Sequence, residues 1–198
     1  MSAAFWAKTP PQPSAPAVFS LSNVMVQYQI NMLDVDAIAA FTAYFKVELI
    51  IYLPIVALGQ ALMTFTGQNA GAGNWSRTRS GTRVSLCIGI GTTTVLSAVT
   101  LALGIPLFRV FHQEPEVISL GLQVIGISFP FYFLYVILQV LGDTLRGLGQ
   151  TRAPMLIVMA NICIIRTALL FVLVPWAPEI RTVAAVYPIC LLYTSRCV

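Results

Sequence analysis

Charged side chains are scarce in this sequence: Asp, Glu, Lys and Arg together make up 9% of its 198 residues. A water-soluble domain usually carries about a quarter, so a surface fit for water cannot be assembled here. Histidine is reduced to His112, and neither His-Glu-x-x-His nor Gly-x-Ser-x-Gly occurs, which removes the usual zinc-protease and serine-hydrolase chemistry; no enzyme is expected. Cysteine is limited to Cys87, Cys163, Cys190 and Cys197, at spacings that match no zinc or redox motif. The first three lie in apolar stretches and read as small buried hydrophobes. The glycine-rich segment 67–73 is followed by no Gly-Lys-Ser/Thr and preceded by no strand pattern, so it is not a phosphate loop. Basic residues are dispersed, and the net charge of +4 builds no nucleic-acid face. Residues 1–18 have no continuous apolar core of the secretory kind. With Pro10, Pro11, Pro13 and Pro16, they read as a disordered or polyproline-like segment.

What is plentiful is apolar length. Hydrophobic residues make up 58% of the chain, and mean hydropathy is +0.84, values that point to the bilayer as solvent. Charges divide the chain into blocks. The spacing predicts full spans over 37–66, 84–108, 117–142 and 154–176, with shorter helices over 19–31 and 182–193 and a polar tail at 194–198. The first block gives only about 18 Å of helix, too short for roughly 30 Å of hydrocarbon. Asp34 and Asp36 read as a helix N-terminal signal rather than a catalytic pair. Pro54 and Pro106 are compatible with spanning helices whose neighbours satisfy the freed carbonyls. The expected fold is all-α, a polytopic membrane helix bundle with short loops and antiparallel neighbours.

Arginine sets the orientation. Arg77, Arg79 and Arg83 follow the first full span, and Arg146 and Arg152 follow the third; Arg109 and Arg181 lie on the other side. The 67–83 and 142–152 loops are therefore expected in the cytoplasm, and the acidic 112–116 loop outside.

Two motifs make the sequence familiar. The run Phe45-Lys46-Val47-Glu48, then Pro54, Gly59-Gln60-Ala61 and Gly67-Gln68-Asn69-x-Gly71-Ala72-Gly73, resembles the eighth helix and following loop of multidrug and toxic compound extrusion (MATE) transporters. The run Gly142-Asp143-x-x-Arg146-Gly147-x-Gly149-x-Thr151-Arg152-x-Pro154 resembles the loop between their tenth and eleventh helices. The resemblance covers roughly 20–189 and is closest to the bacterial branch with DNA-damage-inducible members. It implies the second lobe of a two-lobe exporter of cationic or amphipathic drug-like compounds in exchange for Na⁺ or H⁺, without another cofactor or metal. It also implies residence among lipids in the plasma membrane and an N-terminal lobe as partner. Residues 1–18 and the tail fall outside the family pattern. Two other readings stand beside it: a lipid-linked oligosaccharide flippase of related architecture, and a non-transporting structural membrane subunit.

Ionisable groups inside spans mark functional positions, because each costs about 2.5–3.5 kcal/mol on insertion scales. Lys46, Glu48 and Arg166 qualify. Tyr44 and Tyr52 stand four residues either side of Glu48, on nearly the same helix face. A carboxylate beside phenols can hold a coupling cation or a cationic substrate; an ion pair between Glu48 and Arg166 is the alternative. Lys46 points away from Glu48, left to snorkel or pair elsewhere. Asn23, Gln27 and Asn31 repeat every four residues, either to line a cavity or to join helices. Gln60, Thr64 and Gln68 form a further polar stripe. Asp143 and Arg146 are spaced to pair if the helix continues through them.

Overall fold

In the computed structural model, the described residues are Val24, Gln27, Tyr28, Asn31, 35–159, 166–173, 182–186, Ile189 and Cys190. Among them the fold is all-α, with no strand. α1 runs Val35–Gly71, α2 Trp75–Ala102, α3 Gly104–Arg109, α4 Pro115–Ser128, α5 Tyr132–Gly147, α6 Arg152–Met159 and α7 Arg166–Leu173. A 3₁₀ turn, Phe129–Phe131, joins α4 to α5. Among the described residues, three stretches are long and apolar enough to cross a membrane: Val35–Gly71, Trp75–Ala102 and Pro115–Gly147.

α1 is the central post. Its 37 residues span about 55 Å at ~1.5 Å per residue, more than the hydrocarbon needs. It packs against α5, α2 and α4, burying Phe41, Tyr44, Val47, Ile51, Ile55 and Leu62. The outer surface is greasy instead of charged: Leu49, Ile50, Leu53, Val84, Ile88, Val95 and Val99 are exposed, as befits helices solvated by lipid tails. Buried Thr93, Ser97 and Thr100 line the inner face of α2, where small side chains let membrane helices approach closely.

The helix ends differ from the sequence expectation at several points. Arginines were read there as loop residues, yet Arg77, Arg79 and Arg83 lie on the opening turns of α2, and the turn itself shrinks to 72–74. Both glycine motifs close their helices in the same way. Asn74 N–H donates to Asn69 O at 2.8 Å and Gln150 N–H to Leu145 O at 2.9 Å, each six-residue closure passing through a glycine with positive φ, Gly73 at 75° and Gly149 at 81°. This is a Schellman closure, which needs a residue without Cβ strain at that position.

Prolines divide the other spans. The expected 84–108 helix breaks at Leu103: Pro106 has no N–H for the Ala102 carbonyl and its ring crowds that oxygen. The expected 117–142 helix contains the 3₁₀ turn at Pro130 for the same reason. Pro54, by contrast, lies inside an uninterrupted α1. The 154–176 segment is described as α6 and α7, and the intervening residues lie outside the described set, as do most residues of the 19–31 segment, part of the 182–193 segment and all of 1–18 and 194–198.

Candidate functional site

The Pro130 turn shapes the middle of the bundle. In a 3₁₀ turn, side chains three apart eclipse one another, so Phe129 and Tyr132 leave the same side, with ring centroids 5.9 Å apart. Both aim at α1. Phe129 meets Tyr44 at 6.2 Å, and the Tyr132 hydroxyl donates to Glu48 Oε1 at 2.8 Å. Tyr44, one turn before Glu48, donates to the same oxygen at 3.2 Å. Tyr44 and Tyr132 are buried, while Glu48 is part-buried. A carboxylate thus sits inside a spanning helix with two phenols on one oxygen and aromatic faces around it.

Tyr52 extends the aromatic surface beside Glu48. Its ring lies 6.0 Å from that of Tyr135, which in turn lies 5.6 Å from Tyr132. The site is therefore a belt of tyrosines from two helices, of which the α1 members were legible and the α5 members were not. A sequence signal for the latter exists: Tyr132, Tyr135, Gln139 and Asp143 recur at helical spacing of three and four.

That spacing becomes a polar ladder. The Tyr135 hydroxyl donates to Gln139 Oε1 at 3.3 Å, Gln139 Nε2 donates to Asp143 Oδ2 at 2.8 Å, and Arg146 donates to Asp143 Oδ1 at 2.8 Å. Asp143 is buried and Arg146 is exposed at the helix end. α1 accepts this pair by offering Gly59, where a Cβ would overlap Asp143 Oδ2. The two glycine motifs also meet: Gly147 lies where a Cβ would stand 2.6 Å from Met63 O and 2.8 Å from Thr66 Cβ, and Gly67 faces the Gly147 carbonyl. Within the first motif, Asn69 is buried and its side chain donates to Phe65 O at 2.8 Å, whereas Gln68 and Gly71 are exposed. Arg152 is exposed at the start of α6.

Of the remaining expected site residues, Gln27 is exposed and donates to Asn31 at 3.1 Å, and Asn23 lies outside the described residues. The Arg166 backbone belongs to α7, but its side chain lies outside the described set, and so does the proposed Glu48–Arg166 pair. Lys46 does turn away from Glu48: its Nζ stands 5.1 Å from the centre of the Phe111 ring, a cation–π contact between α1 and the turn after α3. Gln60, Thr64 and Gln68 are exposed.

A hydrogen bond to a charged group contributes about 1.5–3 kcal/mol. Tyr132→Phe should therefore lower the stability of the protein in micelles by about 2 kcal/mol, measured by reversible denaturation with a charged detergent. Tyr44→Phe, with the longer bond, should lose less. Equal midpoints for Tyr132→Phe and wild type would contradict this placement of the hydroxyl.

A family model described as MatE matches residues 15–172. The chain is 24% identical over 159 residues to a probable multidrug resistance protein NorM of Thermotoga maritima, covering 80% of this chain and 34% of that protein. It is 25% identical over 143 residues to a probable multidrug resistance protein NorM of Mannheimia succiniciproducens, covering 72% and 30%. The chain thus spans about a third of the length of these curated relatives. A crystal structure of MATE in complex with MaD3S superposes with a TM-score of 0.86 at 18% identity, over 92% of this chain and 41% of the other, a likeness of fold.

Proposed function

This chain belongs to the MatE family of membrane proteins, and from that premise we propose that it forms one lobe, the second, of a secondary active exporter of cationic or amphipathic compounds. Its homologues are transporters rather than enzymes. Na⁺ or H⁺ exchanged across a plasma membrane drives the export, and a six-helix lobe outside this chain completes the path. The observation that carries the reading is Glu48 inside a spanning helix, held by Tyr44 and Tyr132 and ringed by Phe129, Tyr52 and Tyr135. A carboxylate attracts a monocation, and aromatic faces stabilise a lipophilic cation that has shed its water. The phenols hold the carboxylate oriented between loads.

Alternating access requires two lobes that rock about a central site. Export therefore depends on both. Ethidium accumulation in a drug-sensitive bacterium is the test: the chain alone should leave accumulation unchanged, and the chain fused behind six family helices should lower it. A fusion that reaches the membrane in normal amount yet exports nothing favours a structural subunit. Export by the chain alone removes the one-lobe reading.

A further inference from the structure

Away from the tyrosine belt, α1 and α2 leave a groove of about 450 Å³ between them at the arginine-bearing end. That volume falls within the roughly 300–1,000 Å³ of small-molecule sites. α1 contributes Leu58, Ala61, Leu62 and Phe65, and α2 contributes Arg77, Ser80, Gly81, Val84 and Ser85. The helices run antiparallel here. Phe65 packs on Gly81 near the membrane edge, and Leu58 lies 3.1 Å from the Cβ position of Gly89 farther in. Arg77 and Ser80 stand at the groove's outer end, and farther in the lining is mainly apolar, with Ser85 the one hydroxyl among Leu58, Ala61, Leu62 and Val84.

Among the described residues, no ion pair joins Arg77 to an acid. The first turn of α2 holds no acidic residue, and the ion pair present among the described residues is Arg146 with Asp143, on α5. Arg79 and Arg83 add two exposed cations on neighbouring turns of α2. A cationic drug is repelled from such a mouth. An amphiphile with an anionic head and an alkyl tail matches it along its whole length, and basic pockets between spanning helices at the cytoplasmic edge suit phospholipid head groups.

We propose that this groove binds one anionic phospholipid, its phosphate held by Arg77 and Ser80 and one acyl chain laid along Leu58, Ala61 and Leu62. The site is separate from Glu48 and does not depend on the transport reading. Lipid on these residues ties α1 to α2 at the edge where the two helices turn.

The experiment measures thermal stability and native mass spectra of the full chain in micelles, with dioleoyl phosphatidylglycerol, dioleoyl phosphatidylcholine or inorganic phosphate added. Phosphatidylglycerol should raise the melting temperature and leave a retained one-lipid adduct; phosphatidylcholine and phosphate should do neither. Arg77→Gln should weaken retention at least fivefold, in line with the attraction of about one interfacial cation. Ala61→Phe, which keeps every charge and fills the apolar part of the groove, should abolish the adduct. Arg152→Gln, at the other cytoplasmic turn, should retain it. Equal effects of the two lipids, stabilisation by phosphate alone, or an undiminished adduct in Ala61→Phe would each overturn the proposal.

Discussion

Gly59→Ala is expected to destabilise the lobe by about 3 kcal/mol or more, although it adds one methyl group. That methyl would occupy the place of Asp143 Oδ2. The carboxylate cannot simply step aside, because it is buried and tied by Gln139 on one oxygen and Arg146 on the other, both at 2.8 Å. Displacing it weakens two charge-assisted hydrogen bonds worth about 1.5–3 kcal/mol each. Breaking a buried pair typically costs about 3–5 kcal/mol. Gly71, where nothing lies within 4 Å of a new Cβ, is the matched control, and Gly71→Ala should stay within about 0.5 kcal/mol of wild type. A double variant separates clash from helix propensity. With Asp143→Ala already in place, Gly59→Ala should add little, because the atom it strikes is gone. Detergent denaturation of the four proteins checks this; simple additivity would show that Gly59 and Asp143 do not touch.

Glu48→Gln in the complete two-lobe transporter is expected to cut export at least tenfold at equal expression. Gln retains the size and can accept the hydroxyls of Tyr44 and Tyr132, so the fold should survive. What disappears is the negative charge. Two unit charges about 4 Å apart attract by about 4 kcal/mol at an effective dielectric of 20, and each 1.4 kcal/mol is about tenfold in affinity. Even if the amide dipole restores half of the attraction, about a decade is lost. Efflux of a fluorescent cation at matched membrane abundance is the readout; unchanged resistance would leave Glu48 with a packing role alone.

The fold was legible because lipid imposes a simple rule: apolar blocks of bilayer length, fenced by arginine, become helices. Its breakpoints were less so. Each of the first three full blocks carries a proline inside it, and only the packed surroundings distinguish Pro54, which α1 carries through, from Pro106 and Pro130, where helices divide. The arginines misled in one respect. They were assigned to loops, whereas a helix can extend beyond the hydrocarbon and carry Arg77, Arg79 and Arg83 on its first turns.

For the site, the local half was readable. Tyr44 is one turn from Glu48, and helical periodicity alone places its hydroxyl nearby. Tyr132, 84 residues away, comes to Glu48 through tertiary packing, and no periodicity within α1 can announce a partner on α5. The same limit applies to Tyr52: spacing puts it on the Glu48 face, and its ring neighbour Tyr135 lies on α5, beyond the reach of α1 periodicity. Gly59 is the reverse case. It stood in a recognised motif without a physical reason until Asp143 was seen to occupy the space of its absent side chain.

Equilibrium dialysis of radiolabelled tetraphenylphosphonium against the purified chain in micelles asks whether the carboxylate among the tyrosines holds a cation. Wild type should bind about one cation per chain, with Glu48→Gln at least tenfold weaker while its helical content remains that of wild type. Equal binding by the two folded proteins would show that the cation, if bound at all, is held somewhere other than Glu48.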